Sequence, residues 1–140
     1  MPSPFENLAG PGKPMAVESP DAAEIAGLIR SGHARLADAR NSALSPASRF
    51  DLAYNAAHAL SLAALRRHGY RARHRYTVFQ VLPQTLGLGP EVWRVLSKAH
   101  EQRNLAEYEG HVDIDERLLL DLITACETVA TTIERKEESR

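Results

Sequence analysis

Between Ser45-Pro46 and Gly69 lies a stretch in which alanine and leucine occupy positions on most sides of any helix drawn through it. A serine followed by proline opens a helix, and a glycine closes one. A helix apolar around most of its circumference has to be covered on several sides. The stretch to about His68 is therefore expected to be the central helix, with other helices packed around it. Aromatic residues make up only 6% of the chain, so the core is built from Ala, Leu, Val and Ile. That composition favours closely packed helices over a sandwich or barrel. With 140 residues, 44% of them apolar, the chain fits one domain with a real core.

The flanking signals complete an all-α antiparallel helical bundle of four core helices plus an N-terminal helix. Residues 1–19 are rich in Pro and Gly and read as a disordered tail; residues 20–136 form the domain. Ser19-Pro20-Asp21 is a helix start, and the first helix runs to about Ala39 with Ala22, Ile25, Ala26, Ile29, His33, Leu36 and Ala37 on one face. A third helix spans roughly Arg75–Leu86, where Pro83 kinks it or ends it early. Gly87-Leu88-Gly89-Pro90 launches a fourth, closed by Gly110. Asp113 with Glu116 forms a capping box for the last helix, whose stripe is Leu119, Leu122, Cys126, Val129 and Ile133. No segment reads as a strand, and no internal repeat is present.

Composition removes several function classes. A net charge of −1 exerts no global pull toward nucleic acid or membrane. No apolar run has the length of a membrane span, and no signal-peptide core follows Met1. The single cysteine, Cys126, excludes an intrachain disulfide, suits a reducing cytoplasm, and sits in an apolar stripe as a small core residue. There is no P-loop, GxGxxG, CxxC pair or HExxH, and the scattered histidines have no metal-ligand spacing, so neither cofactor nor metal is expected.

Three polar groupings remain. In the fourth helix, His100, Arg103, Asn104 and Glu107 share one face, and the same helix carries an apolar stripe of Val92, Leu96, Ala99 and Ala106. In the central helix, Asp51, Tyr54, Asn55, His58 and Ser61 recur at helical spacing. They are either a solvent strip or one wall of a polar cleft. Between the second and third helices, Arg66-Arg67-His68-Gly69-Tyr70-Arg71-Ala72-Arg73-His74-Arg75-Tyr76 interleaves arginines with tyrosines. That pattern suits phosphate contact and base stacking, but a neutral overall charge favours a solvated loop with cations at the negative end of a helix.

The order Tyr54-Asn55-Ala56-Ala57-His58, then Gly69-Tyr70-Arg71, then Arg103-Asn104 ahead of Tyr108 and Gly110, resembles the HEPN domain superfamily across roughly residues 46–135. HEPN domains are small all-α bundles, usually dimeric. The resemblance implies an RNA-directed site. In the nuclease branches an Arg, often followed by Asn, precedes a His a few residues on, and facing motifs of a dimer cleave RNA without metal. Here Arg103 and Asn104 match the start of that motif, Tyr108 stands where the His is expected, and His111 lies beyond the helix stop. A phenol with a pKa of ~10 is a poor base near neutrality. The resemblance makes Arg103, Asn104 and Tyr108 the candidate catalytic positions. His100, His58, Asn55, Arg71, Arg73 and Arg75 are the candidate binding residues. Two functions follow as expectations. One is an RNA- or nucleotide-binding module, catalytically weak or inactive, that works as a homodimer with a partner such as a nucleotidyltransferase in a toxin–antitoxin or defence-type system. The other is a metal-independent endoribonuclease with its cleft at the dimer interface.

Overall fold

A computed structural model describes residues 5–110 and 114–138. The Ala/Leu-rich stretch forms α2 (Pro46–Arg67), with the Ser45 side chain accepting from the Ser48 amide and His68 at the C-terminal cap. As its composition demands, α2 is buried on several sides and packs against every other helix of the bundle. The first helix, α1 (Ala22–Ala39), is its main neighbour. A Cβ on Gly32 would lie 2.6 Å from Leu60 Cγ, so this glycine lets the two helices approach. That contact also orients α1: Ile25, Gly32, Leu36 and Ala39 are buried, while Ala22, Ala26 and Ala37 face outward. Asp21, not Ser19, caps α1, accepting from the amides of Ala23 and Glu24.

The expected third helix is two short turns, α3 (Thr77–Gln80) and α4 (Leu82–Thr85), divided at Val81. Pro83 has no N–H to return to the carbonyl four residues back, so one continuous helix cannot pass through it. Helix α5 (Pro90–Glu109) ends as its glycine dictates: Gly110 has φ +79° and donates its N–H to the Ala106 carbonyl. Helix α6 (Glu116–Glu138) starts under Asp115, whose carboxylate accepts from the Arg117 amide. The expected partner Asp113, like His111, lies outside the described residues. The stripes of α5 and α6 are buried as their periodicity requires. Burial pushes the Cys126 thiol up to about 12, as expected of a core residue rather than a nucleophile. Among the described residues no helix is long and apolar enough to cross a membrane.

Part of the N-terminal segment departs from the expectation of a disordered tail. A helical turn at Glu6–Leu8 is followed by β1 (Met15–Val17), which pairs antiparallel with β2 (Tyr70–Ala72), Met15 opposite Ala72 and Val17 opposite Tyr70. Phe5 and Met15 are buried, and the Phe5 ring lies 4.9 Å from Tyr70 and 5.1 Å from His68. Two apolar residues separated by Pro and Gly carry no periodicity, so this anchoring leaves no pattern to read.

Arg66 ties these pieces together. It is 1% exposed. Its Nε donates to Glu24 at 2.6 Å, and its terminal nitrogens donate to the carbonyls of Glu18, Ser19 and Tyr70 and approach the Glu18 carboxylate at 3.2 Å. Arg66→Ala removes a buried cation together with the donors for three carbonyls. Urea denaturation is expected to show a loss of about 3–5 kcal/mol. A loss below about 1 kcal/mol would show that the junction holds without it.

Candidate functional site

Helix α2 and helix α5 face each other through polar side chains midway along the bundle. Tyr54, fully buried, projects from α2 and makes a 2.8 Å hydrogen bond with His100 Nδ1. The Asn104 amide nitrogen donates to His100 Nε2 at 3.1 Å, so the neutral ring carries its proton on Nδ1 and donates it to the Tyr54 oxygen. Tyr76 stacks on the other side, its ring centroid 4.9 Å from that of His100, and its hydroxyl donates to Ser97. His100 is thus held at both nitrogens and on its ring face.

Two guanidiniums converge on Tyr54. Arg103 lies 5.0 Å and Arg75 5.6 Å from the ring centroid, both within cation–π range. Arg75 also donates to the Asn55 side-chain oxygen at 2.8 Å. Arg103 pairs with Glu107, one turn along, at 2.9 Å, but its Nε sits 3.8 Å from Asp51, too far for a hydrogen bond. That Nε is buried and has no hydrogen-bond partner. The residue lines a cleft of about 290 Å³ with Ala47, Ser48, Phe50, Asp51 and Ala106. The cleft opens beside the first turn of α2, which carries no acidic residue to offset the helix's positive end.

The structure therefore brings together His100, Arg103 and Asn104 from α5, Asn55 and His58 from α2, and Arg75 from the connection before α3. Of the polar set on the central helix, Asp51 lines the cleft, while Tyr54, Asn55 and His58 lie among the side chains of His100, Arg75 and Phe79. Ser61 is buried further along, its hydroxyl unpaired. Three expected site residues lie elsewhere. Tyr108 is 90% exposed. Arg71 is taken up by Glu18 at 2.7 Å and Glu24 at 2.6 Å. Arg73 donates to the Gly10 carbonyl, and its own amide to that of Pro14. The Arg-rich run is thus mostly a structural junction, because the N-terminal segment supplies acceptors for it. Tyr54 and Tyr76 are the residues that sequence reasoning underused. Far from His100 in the chain, they carry no local signal of their contact with it, which exists only once α2, α3 and α5 meet.

The site's electrostatics disfavour proton transfer. Burial, reinforced by Arg75, Arg103 and His100, pushes the His58 imidazole down to about 4. The same causes, burial first and then Arg103 and Arg75, lower His100, against a smaller opposing pull from Glu101 and Glu107. Burial raises the Tyr54 phenol, although Arg75 and Arg103 oppose the shift. Both imidazoles are therefore neutral near pH 7. Among the described residues no group of three or more His, Cys, Asp or Glu is placed to hold a metal ion. In comparison with known proteins, no family model matches the chain, nor does any curated protein or solved structure.

The imidazoles make a specific pH prediction. Each takes up a proton more readily in the unfolded chain than in the fold, so stability is full above about 6.5 and falls as pH drops toward the folded values. The Tm is expected to decline from pH 7 to 5, above the range where Glu24 titrates, held low by Arg66 and then Arg71. His58→Gln should flatten that decline. An unchanged slope would show that His58 is no less basic folded than unfolded.

Proposed function

We propose that this chain is a HEPN-like module that binds RNA or a nucleotide through its phosphates, with Arg103 and Arg75 as the contacts, and that it cleaves weakly or not at all. One observation carries the reading: the Arg103 Nε is buried without a hydrogen-bond partner, on a residue that lines an open cleft beside the first turn of α2. A phosphate oxygen is an acceptor that satisfies that donor and pairs with the guanidinium charge. Asn55 and Asn104 flank the two arginines as neutral donors and acceptors. Catalytic weakness is supported by the same cluster. His100 has both ring nitrogens engaged, and His58 at about 4 is too weak a base to work efficiently near neutrality. The HEPN resemblance supplies the rest of the proposal. The module is a cytoplasmic homodimer that acts with a partner protein, a nucleotidyltransferase being the expected kind, in a toxin–antitoxin or defence-type system. Leu105, half exposed on α5, and Tyr108 beyond it offer apolar surface for such contacts.

The alternative is a metal-independent endoribonuclease with its cleft at the dimer interface. It draws on His58, whose ring nitrogens make no hydrogen bond among the described residues.

Arg103→Ala and Arg75→Ala should each lower retention of single-stranded RNA by about tenfold, roughly the value of one charge-assisted phosphate contact, with little change in Tm. Wild-type binding should weaken steeply with salt. Light scattering at micromolar concentration should give about twice the 15.4 kDa chain mass. Robust cleavage in EDTA, lost in His58→Gln, would replace the binding reading with the nuclease one. Unaltered retention in both arginine variants would overturn both.

A further inference from the structure

Glu107 and Asp51 both stand near the Arg103 guanidinium, and only the first holds it at hydrogen-bonding distance. Glu107, one turn along α5, pairs with it at 2.9 Å. Asp51, on α2, stops 3.8 Å from its Nε, and among the described residues the Asp51 carboxylate accepts no hydrogen bond. Asp51 and Arg103 line the same cleft of about 290 Å³, with Ala47, Phe50 and Ala106 as apolar neighbours. A cleft suited to phosphate thus carries an anion of its own, beside a buried donor that has no partner. We propose that Asp51 selects the sugar of the ligand: it accepts a hydrogen bond from a ribose 2′-hydroxyl, so the cleft takes ribonucleotide chains in preference to deoxyribonucleotide chains. This assignment rests on Arg103 holding a phosphate, and adds which class of nucleotide brings that phosphate.

Orienting Arg103 does not account for Asp51. Glu107 already does so, and at 3.8 Å Asp51 leaves the Nε–H without a bond. Nor is Asp51 a cap, since Ser45 caps α2 and Asp51 lies beyond the first turn. Next to a bound phosphate, a carboxylate that receives no donor repels it. In a ribonucleotide chain the 2′-hydroxyl sits on the sugar carbon adjacent to the one that bears the 3′-phosphate. One nucleotide therefore presents an acceptor to Arg103 and a donor to Asp51 side by side, which matches a donor and an acceptor 3.8 Å apart. The edges of a base lie farther from the phosphate than the 2′-hydroxyl does, so the sugar is the group in reach. Deoxyribose has no donor at that carbon and leaves the carboxylate unpaired against the phosphate. The preference then has two sources, attraction of one ligand and repulsion of the other. The Asp51 side chain is 64% exposed, so water competes for its lone pairs and the preference is modest, far below that of a fully buried acceptor.

The test is fluorescence-detected binding of the full chain to labelled oligouridine, oligodeoxyuridine and 2′-O-methyl-oligouridine of one length at fixed ionic strength. The three share a base and a phosphate backbone and differ at the 2′ position. Oligouridine should bind about tenfold more tightly than the deoxy chain, the scale of one hydrogen bond to a charged acceptor. The 2′-O-methyl chain, which keeps a ribose-like sugar without a proton to give, should bind no better than the deoxy chain. Asp51→Ala should weaken oligouridine about fivefold and tighten the deoxy chain about twofold, so that the two bind alike. Asp51→Asn, which keeps a carbonyl acceptor without the charge, should retain part of the preference. Both substitutions alter an exposed side chain that accepts no hydrogen bond, and they leave the fold intact. Equal wild-type affinity for oligouridine and oligodeoxyuridine, a 2′-O-methyl chain that binds as tightly as oligouridine, or a ribose preference that survives Asp51→Ala would each overturn the assignment while leaving the phosphate reading in place. Oligouridine binding that is absent, or unchanged in Arg103→Ala, overturns that reading and the sugar assignment with it.

Discussion

Taking a guanidinium out of water is tolerable only when its donors all find acceptors, and Arg66 meets that condition at the junction of four segments. Its partners lie on α1, on the chain entering α1, and on β2. The β1–β2 ribbon is three residues long, too short to hold itself together in water. Arg66 and the packing of Phe5 and Met15 hold it. From there the consequence runs outward. With the Tyr70 carbonyl fixed on Arg66, the chain leaves β2 along a defined line, and Arg75 and Tyr76 arrive over α2 and α5. The Arg75 contact to Asn55 and the Tyr76 ring on His100 thus depend on a cation buried at the end of the same helix.

Helix α2 is the shared wall of everything described. Its small residues let α1 and α6 come close, while Tyr54 and Asn55 project toward α5 and the α3 connection. Tyr54 marks the transition. Its ring packs edge-on against Phe79, while its hydroxyl reaches His100 and its face meets two guanidiniums. A phenol serves both environments because it is apolar along its body and polar at its tip. Replacing it with a purely apolar residue would keep the core side and strand His100 and the arginines on the other.

The bundle was legible because its signals are local. Ser45-Pro46, Gly89-Pro90 and Gly110 act through the backbone of their own few residues, and the stripes on α5 and α6 have one period throughout. Legibility ended where structure depends on distant partners. Whether Arg71 meets a phosphate or a carboxylate is decided by Glu18 and Glu24, far away in the sequence. Phe5 and Met15 look like residues of a loose tail until a strand edge is available to them. The candidate site was half legible for the same reason. His100, Arg103 and Asn104 share a helix face by arithmetic, and their meeting with Tyr54 and Arg75 is a tertiary event. Tyr108 follows the motif order of the resembled family, but the helix carries it round to solvent.

The arginines of the chain divide by what competes for them. Arg66 and Arg71 share Glu18 and Glu24 in one network, where each carboxylate serves both guanidiniums and one of the cations is wholly buried. An outside anion would have to dismantle the junction to reach them. Arg103 is held by an i,i+4 pair with Glu107, whose carboxylate side chain is well exposed, and such pairs contribute only a few tenths of a kcal/mol. Arg75 is held by a neutral amide oxygen. A phosphate that offers a charged, multiply accepting group can displace either of these partners, and it relieves the unpaired Arg103 Nε as it does so. The same competition explains why most of the positive run is committed to the fold, at Arg66, Arg71 and Arg73, while Arg75 within it and Arg103 on α5 are left with weaker partners.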